Sequence, residues 1–381
     1  MLLSRSDRGL LAQWWFTVDR ALMTAVLLLM AMGVLIAMAA SPPVAERIGL
    51  ESFHFVKNQL LYLVLAVPVF IGASFLTPAQ ARRGAFVILA GSLALMAAAL
   101  FWGPEVKGAH RWINFGSFNL QPSELVKPAF VVIVAWFLAE HSRRPEMPGH
   151  VLSFVLLGLF VGLLVLQPDF GQTALVIVTF AAMLLVYGIS WTAILGLAGI
   201  TAVASAAAYL TVPHVASRID RFLNPEKGDT FQVDAAIQAF RNGGLMGTGP
   251  GGGEAKRIIP DAHSDFTFAV VGEEFGLIAC LALMLLFAFV VLRVLARAKA
   301  EPDPFPALAM TGLVTVFGFQ AVINMAVNVS LLPAKGMTLP FISYGGSSLI
   351  GMALAMGLML AFARRRPGIA VPAGGWQTVA A

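Results

Sequence analysis

ALMTAVLLLMAMGVLIAMAA, residues 21–40, contains no charged side chain. A bilayer core about 30 Å thick is crossed by roughly 20 such residues in helical form. Arg5, Arg8 and Arg20 precede the stretch, and Ala37-Met38-Ala39 within it resembles a signal-peptidase site. The apolar run ahead of that site is longer than the core of a signal peptide, about 7–15 residues, so the stretch reads as an uncleaved first membrane span.

The rest of the chain repeats the pattern. Of its 381 residues, 59% are hydrophobic and 12% charged; soluble domains carry about 25% charge. Further apolar runs fall near 59–77, 84–102, 123–140, 150–166, 172–189, 191–212, 267–295, 305–332 and 341–363. The predicted fold is an all-α integral membrane protein of about ten transmembrane helices, residues 1–366 forming a single polytopic domain. Residues 367–381, rich in Gly, Ala and Pro, read as a disordered cytoplasmic tail.

Charge placement tests the count. Alternating sides put Arg5, Arg8, Arg20, Arg82, Arg83, Arg143, Arg144, Arg293, Arg297, Lys299, Arg364, Arg365 and Arg366 inside. The short outer loops hold only Arg47, Lys57, Lys107, Arg111 and Lys335. This asymmetry obeys the positive-inside rule and predicts that both termini are cytoplasmic. One more span, or one fewer, would scramble it.

Residues 213–266 form a large outer, periplasmic loop between helices 7 and 8. Loops longer than about 12–15 residues are usually functional or disordered. Val233, Ala236, Ile237 and Phe240 recur at helical spacing, with Asp229 or Thr230 as a cap and Gly243-Gly244 as a stop. The expectation is a short amphipathic helix on the outer membrane surface.

Ionisable groups near membrane depth are costly and mark function by default. They gather at the outer ends of the spans, in KGAHRW (107–112), QPSELVK (121–127), QPDFGQ (167–172), HSD (263–265) and SYGGSS (343–348). Glu124 and Lys127, three apart, share a helix face; they form a structural ion pair or also line a groove. Asp265, at the start of span eight, suits an N-cap or a catalyst. Asp169 suits a turn or cap. Glu273 and Glu274 lie in an apolar helix and need a partner, such as Arg or Lys from the long loop. Lys107, Arg111, Arg218, Arg221, Lys256 and Arg257 are solvated loop charges or an anion site.

Other chemistries find little support. GTGPGG (247–252) matches GxGxxG, but no strand precedes it, and the stretch reads as a flexible hinge. Six scattered histidines and one cysteine, Cys280, make neither a metal cluster nor an internal disulfide. No Ser/His/Asp triad can be argued from the spacing, and nucleic acid is not an expected partner. No cofactor is evident; a divalent cation is the one addition the chemistry admits.

KGAHRWINFGSFNLQPSELVKPAF (107–130), QPDFGQTA (167–174), RIDRFLNP (218–225), FQVDAAIQAFRNGGLMGTG (231–249), PDAHSDFTFAVVGEEFG (260–276) and LLPAKGMTLPFISYGGSSL (331–349) lie in this order along nearly the whole chain. In them the sequence resembles the SEDS family (shape, elongation, division and sporulation) of bacterial peptidoglycan glycosyltransferases. AVVGEEFG and LLPAKGMTLPFISYGGSS resemble its cell-division branch, with the elongation branch as near neighbour; GPGGGEAKRIIP is shorter than the usual division pattern.

The resemblance implies that lipid II is polymerised at the outer face of the bacterial inner membrane, at the division septum. It makes Asp265 the catalytic residue and places Glu124 and Lys127 beside a central cavity. Together with the chemistry of a diphosphate leaving group, it makes Lys107, Arg111, Glu124, Lys127, Asp169, Arg218, Gln232, Ser343 and Ser347 the candidate substrate contacts. Expected partners are a class B penicillin-binding transpeptidase and other division proteins. A lipid II flippase is the alternative from another class. It would carry polar groups along the whole path, whereas these crowd the outer ends. A scaffold for a division partner is the third, and would not need an acid facing a groove.

Overall fold

The computed structural model describes residues 9–106, 108–116, 118–223, 231–333 and 336–364. Lys107, Lys335 and the expected tail 367–381 lie outside these residues. The chain runs through α1 (Leu10–Thr17), α2 (Arg20–Arg47), α3 (His54–Ser74), α4 (Pro78–Trp102), α5 (Ser123–Arg143), α6 (Gly149–Leu166), α7 (Phe170–Tyr187) and α8 (Trp191–Thr211). It continues through α9 (Pro213–Leu223), α10 (Phe231–Gly243), α11 (Ala255–Ile258), α12 (Thr267–Ala300), α13 (Pro304–Asn328) and α14 (Gly346–Ala363). A hairpin of β1 (Ile113–Phe115) and β2 (Phe118–Leu120) interrupts the otherwise helical chain before α5, pairing Ile113 with Leu120.

Ten of these helices are long and apolar enough to cross a membrane: α2 to α8 and α12 to α14. Their starts follow local chemistry. Asp19 accepts from Leu22 N at 3.1 Å, and Asp303 from Phe305 N at 3.0 Å. Thr77 and Gln80 form a reciprocal capping box ahead of Pro78. The last span starts later than the apolar run at 341–363 predicts. Phe341 takes φ 65° in a turn and the helix begins at Gly346, so a buried turn had extended the apolar pattern.

Helices α5, α13 and α14 form the buried centre, whereas α8 has no buried residue. Close packing at the centre depends on small residues, for Gly351 of α14 lies against the backbone of Glu124. The two ends of the described chain meet at one end of the bundle. Trp14 Nε1 donates to Ser74 Oγ at 2.9 Å, and Arg364 Nε donates to Thr17 Oγ1 at 3.1 Å. Arg293 and Arg297 of α12 pair there with Asp19 at 2.8 and 3.0 Å, and Arg143 with Asp303 at 2.6 Å.

At the opposite end, α9 to α11 make up the structured part of the long loop. Helix α10 forms where the spacing predicts, and its stop falls at Gly243. Its apolar face is spent on the protein rather than left for a lipid surface. Phe240 packs against Phe268, with ring centroids 5.6 Å apart, and lies over Gly272 of α12. Ala236, Ala239, Ile259 and Phe266 build a small core there with Ala40 and Val44 of α2.

Candidate functional site

Asp265 closes a tight turn at the loop end of α12. Ser264, Asp265 and Phe266 all donate their N–H groups to Asp261 O, at 3.1, 3.0 and 3.2 Å. The N-cap position falls on Phe266, one residue later than expected. A first-turn N–H of α12, that of Ala269, is shared between Phe266 O at 3.1 Å and Asn328 Oδ1 on α13 at 3.0 Å. Asp265 is therefore not the cap residue. Its backbone carbonyl accepts from Asn324 Nδ2 and Asn328 Nδ2, both at 2.9 Å. The half-buried carboxylate faces Gly336, where an added Cβ would stand 3.3 Å from Asp265 Oδ2.

Beneath the turn lies the Glu124–Lys127 pair. Lys127 Nζ sits 3.0 Å from one carboxylate oxygen of Glu124 and 2.9 Å from the other. It also donates to Gln172 Oε1 at 3.0 Å and Gln320 Oε1 at 2.9 Å, while Gln172 Nε2 donates to Glu124 at 2.8 Å. Both side chains are at most 4% exposed. That geometry fits the structural ion pair and leaves little of it for a groove. Gln320 Nε2 extends the network to Thr338 O at 3.1 Å, and Thr338 Oγ1 meets Ser348 Oγ at 2.8 Å. Asn324 Nδ2 also donates to Met337 O at 2.6 Å. The segment from Gly336 to Leu339 thus bridges the ion pair and the Asp265 turn.

Several other candidate contacts hold backbone. Arg111 donates through Nε to Gln167 O at 2.8 Å and through its guanidinium to Pro168 O at 2.5 Å, and lies 3.7 Å from Asp169. Asp169 caps α7 through Gln172 N at 3.3 Å, as a turn residue would. Ser347 Oγ donates to Asn119 O at 3.0 Å and accepts from Gln121 N at 2.9 Å, joining α14 to the hairpin. Ser343 Oγ accepts from Leu339 N at 3.0 Å within its own turn. Gln232 stands half-buried in the first turn of α10. Arg218 falls within α9, its side chain outside the described residues, as is all of Lys107.

The glycine stretch departs from the hinge reading. Helix α12 breaks at Gly276, with φ 77° and ψ 179°. In an apolar surrounding the backbone groups freed by a break need partners. Thr248 N and Gly249 N donate to Glu273 O and Glu274 O at 2.9 and 3.0 Å, and Leu277 N donates to Gly244 O at 3.0 Å. Gly247, at φ 82°, lies against Glu274 O, an approach that only a residue without Cβ allows. The loop also satisfies the two acids. Lys256 Nζ pairs with Glu274, Gly251 N donates to Glu274 at 3.1 Å, and Ala255 N donates to Glu273 at 2.9 Å. The partner expected from the long loop is thus Lys256. Arg47 spans the carbonyls of residues 257–260, with its shortest bond, 2.8 Å, to Pro260 O.

Sequence reasoning assigned no role to Gln320, Asn324 and Asn328. Their spacing of four was the signal, one stripe on an apolar helix. Among the described residues no three His, Cys, Asp or Glu side chains gather as a metal site. A cleft of about 860 Å³ opens on the far side of the loop, between α2 and residues 250–257, away from the Asp265 turn.

A family model described as cell cycle protein, covering FtsW, RodA and SpoVE, matches residues 19–367. The probable peptidoglycan glycosyltransferase FtsW of Caulobacter vibrioides is 44% identical over 366 residues, 96% of this chain and 94% of that one. The like-named protein of Geobacter metallireducens is 37% identical over 356 residues, 90% of this chain and 95% of that one. Among solved structures, a chain from a peptidoglycan synthase complex that coordinates polymerization and crosslinking superposes with TM-score 0.76 at 27% identity, covering 92% of this chain and 98% of that one. The rod shape determining protein RodA of Thermus thermophilus superposes with TM-score 0.68 at 28% identity, covering 92% and 97%.

Proposed function

The chain belongs to the FtsW, RodA and SpoVE family of cell cycle proteins, and we propose that it is the division-branch peptidoglycan glycosyltransferase, with Asp265 as its general base and lipid II as its substrate. The 44% identity to a probable FtsW over nearly the whole chain supports the branch. The acceptor's 4-hydroxyl attacks the anomeric carbon of the donor sugar, Asp265 takes the hydroxyl proton, and the lipid diphosphate departs. A base must come within about 2.6–3.2 Å of the proton it removes. The departing diphosphate calls for fixed cations. Arg111 and Lys256 are already committed to loop carbonyls and to Glu274, so of the loop cations that role falls to Lys107, Arg218, Arg221 and Arg257.

In this reading the arginine-rich end of the bundle faces the cytoplasm, with both termini, and the Asp265 end faces the periplasm. The protein works in the inner membrane at the septum with a class B penicillin-binding transpeptidase. One of the relatives by fold comes from a complex that polymerises and crosslinks peptidoglycan, which supports such a partner.

The observation that carries the proposal is the placement of Asp265: the peptide is anchored by two buried asparagines, while the carboxylate is directed at Gly336 rather than at the helix it precedes. The test is polymerisation of labelled lipid II by the purified full-length protein with its transpeptidase. Glycan ladders vanish in Asp265→Ala while partner binding persists. Ladders that survive the substitution remove Asp265 from the chemistry, lipid II scrambling in liposomes without polymer moves the protein to the flippase class, and a cytoplasmic label at residue 265 overturns the orientation.

A further inference from the structure

Gln320, Asn324 and Asn328 lie one turn apart in the buried face of α13, at 1%, 2% and 0% exposure. Gln320 serves the Glu124–Lys127 pair. The two asparagines converge on a single acceptor, Asp265 O, and each has a second bond: Asn324 with Met337 O at 2.6 Å, Asn328 with Ala269 N at 3.0 Å. A buried amide costs free energy unless it is hydrogen-bonded, and an apolar side chain would fill the same space without that requirement. The amides therefore answer to a demand at residue 265 and not to packing alone.

The demand follows from helix chemistry. The first N–H groups of a helix lack partners, and an aspartate just ahead of them ordinarily turns back to bond them. A carboxylate held that way is stabilised by the helix dipole and becomes a weaker base. Here the N-cap position falls on Phe266 with no side-chain cap, and Asn328 Oδ1 shares the Ala269 N–H with Phe266 O, at 3.0 and 3.1 Å. The amide groups of Asn324 and Asn328 at the same time fix the carbonyl of residue 265.

We propose that Asn324 and Asn328 are positioning residues: together they fix the peptide of residue 265 and tie it to the first turn of α12 and to the segment that carries Gly336, which sets where its carboxylate stands. The proposal rests on Asp265 being the base. It names two residues of α13 that touch no reacting atom and yet set the rate. Displacing a catalytic group by about 1 Å costs on the order of 100-fold in rate, so the loss belongs in kcat and not in substrate affinity.

The test is steady-state polymerisation of labelled lipid II by the full-length protein with its transpeptidase, for Asn324→Ala, Asn328→Ala and the double variant, each checked by thermal melting. The expected result is a kcat about 10- to 100-fold lower for each single variant, with KM for lipid II changed less than about twofold. The double variant should lose little more than the worse single, because both act on one peptide. Asn324→Gln, which keeps the amide and shifts it by one methylene, should also lose kcat; it carries the test if an alanine variant fails to fold. Unchanged kcat in variants that melt with the wild type overturns the proposal, as does a loss confined to KM. Asp265→Asn, measured alongside, separates the two levels: if it polymerises normally, the catalytic reading fails; if it is inactive while the asparagine variants are not, only the positioning role fails.

Discussion

Replacing Lys127 by Met should destabilise the protein more than replacing Lys127 and Glu124 together. The ammonium lies within 3.0 Å of both carboxylate oxygens of Glu124 and of the side-chain oxygens of Gln172 and Gln320, and the pair is 2% and 4% exposed. Methionine fills the aliphatic volume and removes four polar contacts at once. Glu124 then keeps only the Gln172 amide at 2.8 Å. Breaking one half of a buried ion pair costs about 3–5 kcal/mol, because the remaining charge is left in a poorly polarisable interior. Glu124→Gln in the Lys127→Met background removes that charge, and replacement of both partners of a buried pair is often close to neutral. The double variant should lie within about 1–2 kcal/mol of the wild type, a recovery of about 2–3 kcal/mol over Lys127→Met alone. Thermal melting of the four purified proteins in one detergent reads the cycle directly. The expected order has Lys127→Met melting lowest and the double variant recovering most of the loss. A Lys127→Met protein that melts with the wild type, or a double variant that melts below both singles, would refute the reasoning.

Asp265→Asn should lower polymerisation of labelled lipid II by about 100-fold or more, the scale of general-base catalysis, while the bonds from Asn324 and Asn328 to its backbone carbonyl are kept. Gly336→Ala places a methyl 3.3 Å from Asp265 Oδ2. It should lower kcat by about 10-fold without a matching loss of thermal stability; equal activity would show that the carboxylate moves aside freely. Gly247→Ala combines φ 82° with a collision against Glu274 O, and melting should report a loss of about 1–3 kcal/mol. Lys256→Met leaves Glu274 buried without its cation and should cost about 3–5 kcal/mol, with Glu274→Gln restoring most of it.

The spans were legible because bilayer thickness sets their length and the charged ends set their alternation. The start of α14 was not, since Phe341 and Ile342 are apolar yet buried in a turn, and hydropathy registers burial without registering backbone conformation. Helix α10 could be read from its spacing. What its apolar face covers could not, because Phe240 meets Gly272 across many intervening residues. Glycines at 247–253 have two physical uses, freedom and close approach, and the choice depended on a broken turn of α12 that the sequence shows only as Gly276. For Asp265 the motif supplied the proposed role. The local capping rule placed the cap one residue early, because the asparagines that hold this turn lie on another helix and are not visible in local sequence.

The organisation of α12 bears on the role proposed for the carboxylate at its loop end. The break at Gly276 separates the segment Thr267–Phe275 from the long apolar part of the same helix. A short helical segment at the membrane boundary cannot hold itself, since its terminal N–H and C=O groups need partners and its own length provides few. Each end is therefore held from outside. At the Gly276 end the loop 244–255 satisfies Glu273 and Glu274 through backbone and side chain alike. At the other end Asn324 and Asn328 take the Asp265 carbonyl and the Ala269 N–H. Between them, Phe266, Ala269 and Val270 are packed into the small core shared with α2 and α10. A segment fixed in this way sets the backbone of residue 265 from two sides. The proposed general base thus stands just ahead of α12 on a backbone held by two other elements, so its position is set by the fold and not by its own loop alone.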